Sequence, residues 1–214
     1  MNNVFVICET DEGKVADISL ELMTKGRSLA NDLKCKLEAV VLGQNLKGIE
    51  NELYPYGADE VHIGDDIRLD PYTTLPHTAV IIELFKETKP QIALLGASTF
   101  GRDLGPRISS ALQSGLTADC TALEIGDHFV KKENKEYRDL LYQIRPAFGG
   151  NIVATIINPD HRPQMATVRE GVMKKEVYDK SYKGKLNKLE VDKYLKPEDL
   201  VVKVIERHME KSKV

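Results

Sequence analysis

Two stretches of the 214-residue sequence gather the residue types that could do chemistry. The first is Leu94-Leu95-Gly96-Ala97-Ser98-Thr99-Phe100-Gly101-Arg102-Asp103-Leu104-Gly105-Pro106-Arg107. It sets Ser98, Thr99 and Arg102 between the carboxyl end of an apolar run and the start of a helical pattern. At that edge of an open α/β sheet, free backbone N–H groups and the positive end of a helix favour an anion. Gly96 and Gly101 have the separation of a Walker A loop, but Arg102-Asp103 stands where Lys-Ser/Thr is required, and no GxGxxG occurs. The same spacing suits a plain strand-to-helix turn in which Ser98 or Thr99 caps the helix. Sequence alone leaves both readings open.

The second stretch runs Leu140-Leu141-Tyr142-Gln143-Ile144-Arg145-Pro146-Ala147-Phe148-Gly149-Gly150-Asn151-Ile152 and on to Thr155. An arginine leaves one strand, and an aromatic, two glycines and an asparagine lead into the next. Paired glycines let a backbone approach a planar ligand or a partner closely, and Arg145 can donate fork-shaped hydrogen bonds or stabilise an anionic, reduced ring. A Gly-Gly turn with Arg145 on the surface fits equally well. Arg169, in His161–Met173, could line the same edge, although an arginine in that setting more often makes a structural ion pair.

What is missing narrows the field. There is no GxSxG, no HExxH and no EF-hand loop, and the five histidines show no metal-ligand spacing, so each reads as a surface or hydrogen-bonded residue. Cys8, Cys35 and Cys120 are odd in number and form no CxxC, which suits a reducing compartment rather than a disulfide framework. With 30 Lys+Arg against 33 Asp+Glu, no general attraction to nucleic acid is expected. Val4–Cys8 is too short for a signal-peptide core, and no run approaches the roughly 20 apolar residues of a membrane span. A cytoplasmic protein is expected.

The elements that must position these residues follow from the apolar pattern. Val4–Cys8, Leu37–Leu42, Glu60–Ile63 and Ile92–Gly96 read as strands, separated by helical patterns at Ile18–Leu33, Leu46–Tyr56 and Thr78–Lys89. That order predicts an α/β, Rossmann-like three-layer fold with a mostly parallel sheet. A further helix is expected over Gly101–Gln113, with Pro106 tolerable only in its first turn. The runs Ala118–Ile125, Leu140–Ile144, Ile152–Ile157 and Gln164–Val168 follow without intervening helices, which predicts an antiparallel portion in the second half. From Lys174 the chain carries 12 Lys+Arg against 8 Asp+Glu, and residues 174–214 read as a charged linker. One short helix is expected there, starting at Pro197, with Leu200, Val204 and Ile205 on its apolar side and its end near Lys213.

GASTFGRDLGPR, SGLTADCTALE (Ser114–Glu124), IRPAFGGNIVATI and RPQMATVREGVM together resemble the alpha subunit of electron transfer flavoproteins, in the correct order across residues 1–173. The RPAFGGN and RPQMATVR forms are most similar to the branch found in anaerobes and nitrogen-fixing bacteria, which includes electron-bifurcating members. The resemblance implies an electron carrier rather than an independent enzyme. It also implies a heterodimer with a beta subunit of similar fold, and exchange with flavin dehydrogenases of the acyl-CoA dehydrogenase type. The family's alpha subunit continues into a second domain that holds FAD, whose motifs are not found in 174–214, so FAD is expected in the assembled heterodimer and not on this chain alone. Carried over residue by residue, Arg145 would face a flavin of the beta subunit, with Phe148, Gly149, Gly150 and Asn151 shaping the contact and Ser98, Thr99 and Arg102 at the neighbouring edge. A free-standing AMP- or ATP-binding module using Gly96–Gly101, or a scaffold for the partner subunit, are the alternatives.

Overall fold

The computed structural model describes residues 2–11, 13–132, 134–150 and 152–206. In chain order the elements are β1 (Val4–Cys8), the small hairpin β2 (Thr10–Asp11) and β3 (Lys14–Val15), α1 (Asp17–Asp32), β4 (Leu37–Gly43), α2 (Glu50–Leu53), β5 (Glu60–Asp65), α3 (Thr74–Thr88), β6 (Ile92–Gly96) and α4 (Thr99–Ala111). They continue with β7 (Leu116–Cys120), β8 (Ala122–Val130), β9 (Lys135–Ala147), β10 (Ile152–Ile156), β11 (Gln164–Val168) and β12 (Lys185–Lys188). Seven strands form one sheet in the order β12-β5-β4-β1-β6-β11-β7, and every pairing within it is parallel.

The strands are continuous apolar runs because both faces of the sheet are covered. Val4, Val6, Leu37, Ala39 and Val41 pack under Leu22, Met23, Leu29 and Ala30 of α1. Phe5, Ile7, Val40 and Leu42 face the other way, onto Val80, Ile81, Leu84 and Phe85 of α3 and Leu104 and Ile108 of α4. Each Val, Leu, Ile, Met or Phe side chain among them, fully buried, stabilises the fold by roughly 1.5–3 kcal/mol.

The antiparallel portion is a separate three-stranded sheet, β10-β9-β8. It docks on the α1 side through Leu123 and Leu141, and the Leu141 N–H donates to Gln164 Oε1 at 2.8 Å, tying β9 to β11. The apolar run Ala118–Ile125 is divided between the two sheets, because the chain leaves β7 at Cys120 and starts β8 at Ala122.

Three sequence expectations need correction. Pro106 does not sit in the first turn of its helix, since α4 begins at Thr99 and Pro106 lies inside it. The bond lost is the one to the Arg102 carbonyl, and both residues are on the exposed side, where water can satisfy that carbonyl. The charged stretch after Lys174 is more than a solvated connection: Lys185–Lys188 adds an edge strand beside β5, and Val191 is buried with the α3 face. The expected terminal helix shrinks to one 3-10 turn, Pro197–Leu200. Val201 to Glu206 has no regular structure, and the remainder of that expected helix lies outside the described residues.

Candidate functional site

Both candidate stretches reach the carboxyl edge of the main sheet, at two different corners. At the first, β7 is bent by Asp119, whose φ of +61° is a left-handed conformation that Asp tolerates better than most residues. The pairing of β7 with β11 shifts register there, and the Asp119 N–H donates to Thr167 Oγ1 at 2.9 Å. The carboxylate so presented is gripped by Arg169 through Nε at 3.1 Å and Nη2 at 2.7 Å. These hydrogen bonds, opposed by partial burial and helped by the charges of Arg169, Arg102 and Arg145, hold the Asp119 carboxyl below the usual range.

Arg145 belongs to the same group of charges. Leu141 and Gln143 are both buried, and Arg145 continues that row of alternate residues to the half-exposed end of β9, opposite Ala154 of β10. Among the described residues it has no hydrogen-bond or ion-pair partner, and its charge acts on Asp119 and Cys120. Burial pushes the neighbouring Cys120 thiol up to about 11, while Arg145 acts in the opposite sense and Asp119 adds to the rise.

The chain then turns through Phe148–Gly150, with Gly149 at φ +70° and Gly150 at φ +88°. Those conformations favour glycine, and open space surrounds the point where each would carry a Cβ. Asn151 lies outside the described residues.

The second corner is a cleft of about 760 Å³ at the carboxyl ends of β1 and β4. It lies beside β1, where the chain order of the sheet reverses between β4 and β6, the usual ligand position of an open α/β sheet. Its charges come from Glu9, Asp11, Asp70 and Asp103, and no Lys or Arg lines it among the described residues. Ser98 does cap α4, accepting from the Gly101 N–H at 3.1 Å, and its hydroxyl donates to Glu9 Oε1 at 2.8 Å. The Glu9 carboxylate therefore stands at the amino end of α4, where a ligand anion would otherwise sit. Burial pushes its carboxyl above the usual range, against the Ser98 hydrogen bond, and Glu170 adds to the rise.

Thr99 lines the cleft at its exposed rim. Arg102 turns away from the cleft, donating from Nε to the Ala97 carbonyl at 2.8 Å. His77 and Tyr72 close the far wall with ring centroids 4.7 Å apart. Burial pushes the His77 imidazole down to about 4, with hydrogen bonds to the Thr73 and Leu42 backbones opposing the fall.

The sequence candidates thus separate. Arg145 and Arg102 come together with Arg169 around Asp119, while Thr99 lines the acidic cleft and Ser98 is tied to it through Glu9. The cleft does not fit the phosphates of a dinucleotide, because its fixed charges have the wrong sign and Glu9 fills the helix end. The same charges disfavour AMP or ATP at Gly96–Gly101. The arginine corner does fit contact with the edge of a flavin ring, since it offers a cation without an ion-pair partner among the described residues and a turn with no side chains at Gly149 and Gly150. Sequence reading missed Glu9 and Asp119. The only local signals were a carboxylate one residue past a strand and another inside an apolar run.

The profile of the Electron transfer flavoprotein domain matches residues 4–194. The chain is 47% identical over 203 residues to "Protein FixB" of Clostridium saccharobutylicum, covering 95% of this chain and 57% of that protein. It is 40% identical over 203 residues to "Electron transfer flavoprotein subunit alpha" of Megasphaera elsdenii, with 95% and 57% covered. It is 39% identical over 158 residues to "Lactate dehydrogenase (NAD(+),ferredoxin) subunit LctC" of Acetobacterium woodii, with 74% and 35% covered. The chain spans about half the length of the curated relatives it matches.

Proposed function

The chain belongs to the electron transfer flavoprotein domain family, and from that premise we propose that it acts as the amino-terminal domain of an alpha subunit. In this reading it pairs with a beta subunit to carry electrons between flavoenzymes, among them acyl-CoA dehydrogenases, with flavin-based bifurcation as one mode. The relatives' names, FixB, alpha subunit and LctC, support an electron-transfer role. FAD, bound in the assembled heterodimer, would supply the one- and two-electron chemistry. What the chain supplies is a shaped and charged contact. Exposed Ile152 and Val153 on the edge strand β10 offer apolar surface and unpaired backbone to a partner. Beside them Gly149 and Gly150 admit a close approach.

The observation that carries the reading is the half-exposed guanidinium of Arg145 next to that turn, which has no hydrogen-bond or ion-pair partner among the described residues. A fixed cation stabilises negative charge that builds on a ring as it is reduced, and so raises its potential. Asp119 offsets part of the positive field and, through Arg169, keeps a second arginine from competing for the same place.

The test is redox titration of the heterodimer reconstituted with its full-length alpha chain, comparing Arg145→Ala with the unmodified protein. A charge-assisted hydrogen bond is worth roughly 1.5–3 kcal/mol, so the potential of the flavin facing this domain should fall by a corresponding amount while thermal stability stays nearly constant. Unchanged potentials together with a large loss of stability would make Arg145 a structural residue and remove the reading's main support.

A further inference from the structure

At the opposite, amino-terminal edge of the main sheet, Glu38 of β4 lies directly beside Glu60 of β5 in the parallel register. His62 stands two residues beyond Glu60 and therefore projects from the same face. One donor atom from each of the three lies within 4.8 Å of the others. Glu38 and His62 are both buried and meet through Glu38 Oε2 and His62 Nε2 at 2.6 Å. We propose that these three side chains bind one divalent transition-metal ion of the zinc class.

The donor set suits such an ion, since imidazole and carboxylate oxygen are its common ligands. Closing on an ion with bonds of about 2.0–2.2 Å requires shifts of only about 1 Å. Charge also balances, because two carboxylates neutralise a dication and the imidazole binds in its neutral form. The surroundings hold the donors in place as outer partners of metal ligands do. Asn3 donates to Glu38 Oε1 and itself accepts the Lys36 N–H at 3.2 Å. Asn187 of β12 donates to Glu60 Oε2 at 2.7 Å. The Phe5 ring stacks on His62, centroids 5.6 Å apart.

Two lysines stand in for the ion. Lys36 Nζ lies 2.7 Å from Glu60 Oε1, and Lys185 Nζ lies 3.8 Å from Glu60 Oε2. The Lys36 side chain is more than half exposed, so its exchange for a metal leaves the ammonium in water at little cost. Metal entry also displaces the proton held between His62 and Glu38. The bound ion would lock β4 to β5 and, through Asn187, to the edge strand β12, a role separate from anything at the carboxyl edge.

The experiment is a Co²⁺ titration of tag-free protein followed by visible absorption, with Zn²⁺ competition and thermal melting alongside. One equivalent should bind with a spectrum of nitrogen and oxygen ligation, Zn²⁺ should displace it, and the melting temperature should rise with metal concentration. Glu60→Gln, at a half-buried position, should weaken binding at least tenfold, and His62→Asn should abolish it. Lys36→Ala should tighten binding severalfold, an outcome that a purely structural hydrogen-bond network would not give. No saturable uptake, uptake unaffected by Glu60→Gln, or the near-ultraviolet charge-transfer band of cysteine ligation would each overturn the proposal.

Discussion

Two corners of one sheet edge carry opposite charge. Around the ends of β1 and β4 the side chains are Glu9, Asp11, Asp70 and Asp103, whereas around the end of β7 the field comes from Arg102, Arg145 and Arg169. The first corner is where this architecture ordinarily seats a ligand, yet the helix end there is occupied by the chain's own Glu9 carboxylate. At the second, a separate antiparallel sheet adds Arg145 to the two arginines that the main domain already places there. The proposed flavin contact therefore rests on the appended strands, and the switch point of the parallel sheet carries the opposite charge.

The largest effect is expected at the strand-to-helix turn beside the cleft. A Cβ on Gly101 would stand 1.9 Å from the Gly96 carbonyl oxygen, a backbone atom that cannot swing aside. Gly101→Ala should therefore cost about 4 kcal/mol or more, read as a collapse of the melting temperature or loss of soluble protein. Gly149→Ala meets nothing within 4 Å and costs only the strain of its positive φ, about 1–2 kcal/mol. Equal losses at the two sites would mean that the arginine corner is as tightly built as the cleft.

The cleft wall can be separated from the arginine corner by pH. His77 has its folded pKa lowered to about 4 from 6.5 by burial, so between those values the unfolded chain binds more protons and stability falls as pH falls. From above pH 6.5 down to 4 the loss attributable to His77 is on the order of 3 kcal/mol. Denaturant melts of His77→Gln across that window should show a correspondingly flatter profile. A profile identical to the unmodified protein would show that His77 is protonated without penalty and that the wall opens.

These expectations also mark what sequence could reach. The apolar runs at Val4–Cys8, Leu37–Leu42 and Ile92–Gly96 were legible as buried parallel strands, because a strand covered on both faces has no polar alternation to hide it. A cap at Ser98 or Thr99 was legible as one reading of that turn because capping is local, and the structure selects Ser98. Glu9 was not, since its meaning comes from Ser98, 89 residues away, and Asp119 depends on Arg169, 50 residues on. Lys185–Lys188 was hidden for another reason: it is held by backbone pairing to β5 and by Tyr182, whose hydroxyl donates to Asp59, so its composition looks like that of a solvated segment. The insertion of β11 between β6 and β7 likewise leaves no local trace.

A gentler probe sharpens the arginine corner. Asp119→Asn keeps a side chain that accepts the left-handed conformation while removing the charge that Arg169 grips. The pair is partly exposed, so the cost at neutral pH should be about 0.5–1 kcal/mol. The folded carboxyl is held below its ordinary value, so this contribution is present above the unfolded pKa and fades as pH drops through the folded one. Urea melts at pH 7 and in acid should show the two proteins converging. A cost that persists in acid would assign the role of Asp119 to shape rather than charge.

The smallest effect expected is at Glu9, and its sign matters more than its size. Burial raises the Glu9 carboxyl above its ordinary value, so the folded chain binds a proton there more tightly than the unfolded chain. The stability linked to that proton is complete below the unfolded pKa and is lost as pH rises through the folded one. Once ionised, the group is therefore a small liability, and Glu9→Gln, which retains an acceptor for Ser98, should at neutral pH leave stability unchanged or raise it by a few tenths of a kcal/mol. As the medium is acidified the unmodified protein should recover relative to the variant. Paired melts at pH 7 and pH 4.5 measure both points. If Glu9→Gln instead lost more than about 1 kcal/mol at neutral pH, the carboxylate would have to be stabilised in its charged form, the cleft would not be an acidic pocket under electrostatic strain, and its contrast with the arginine corner would fail.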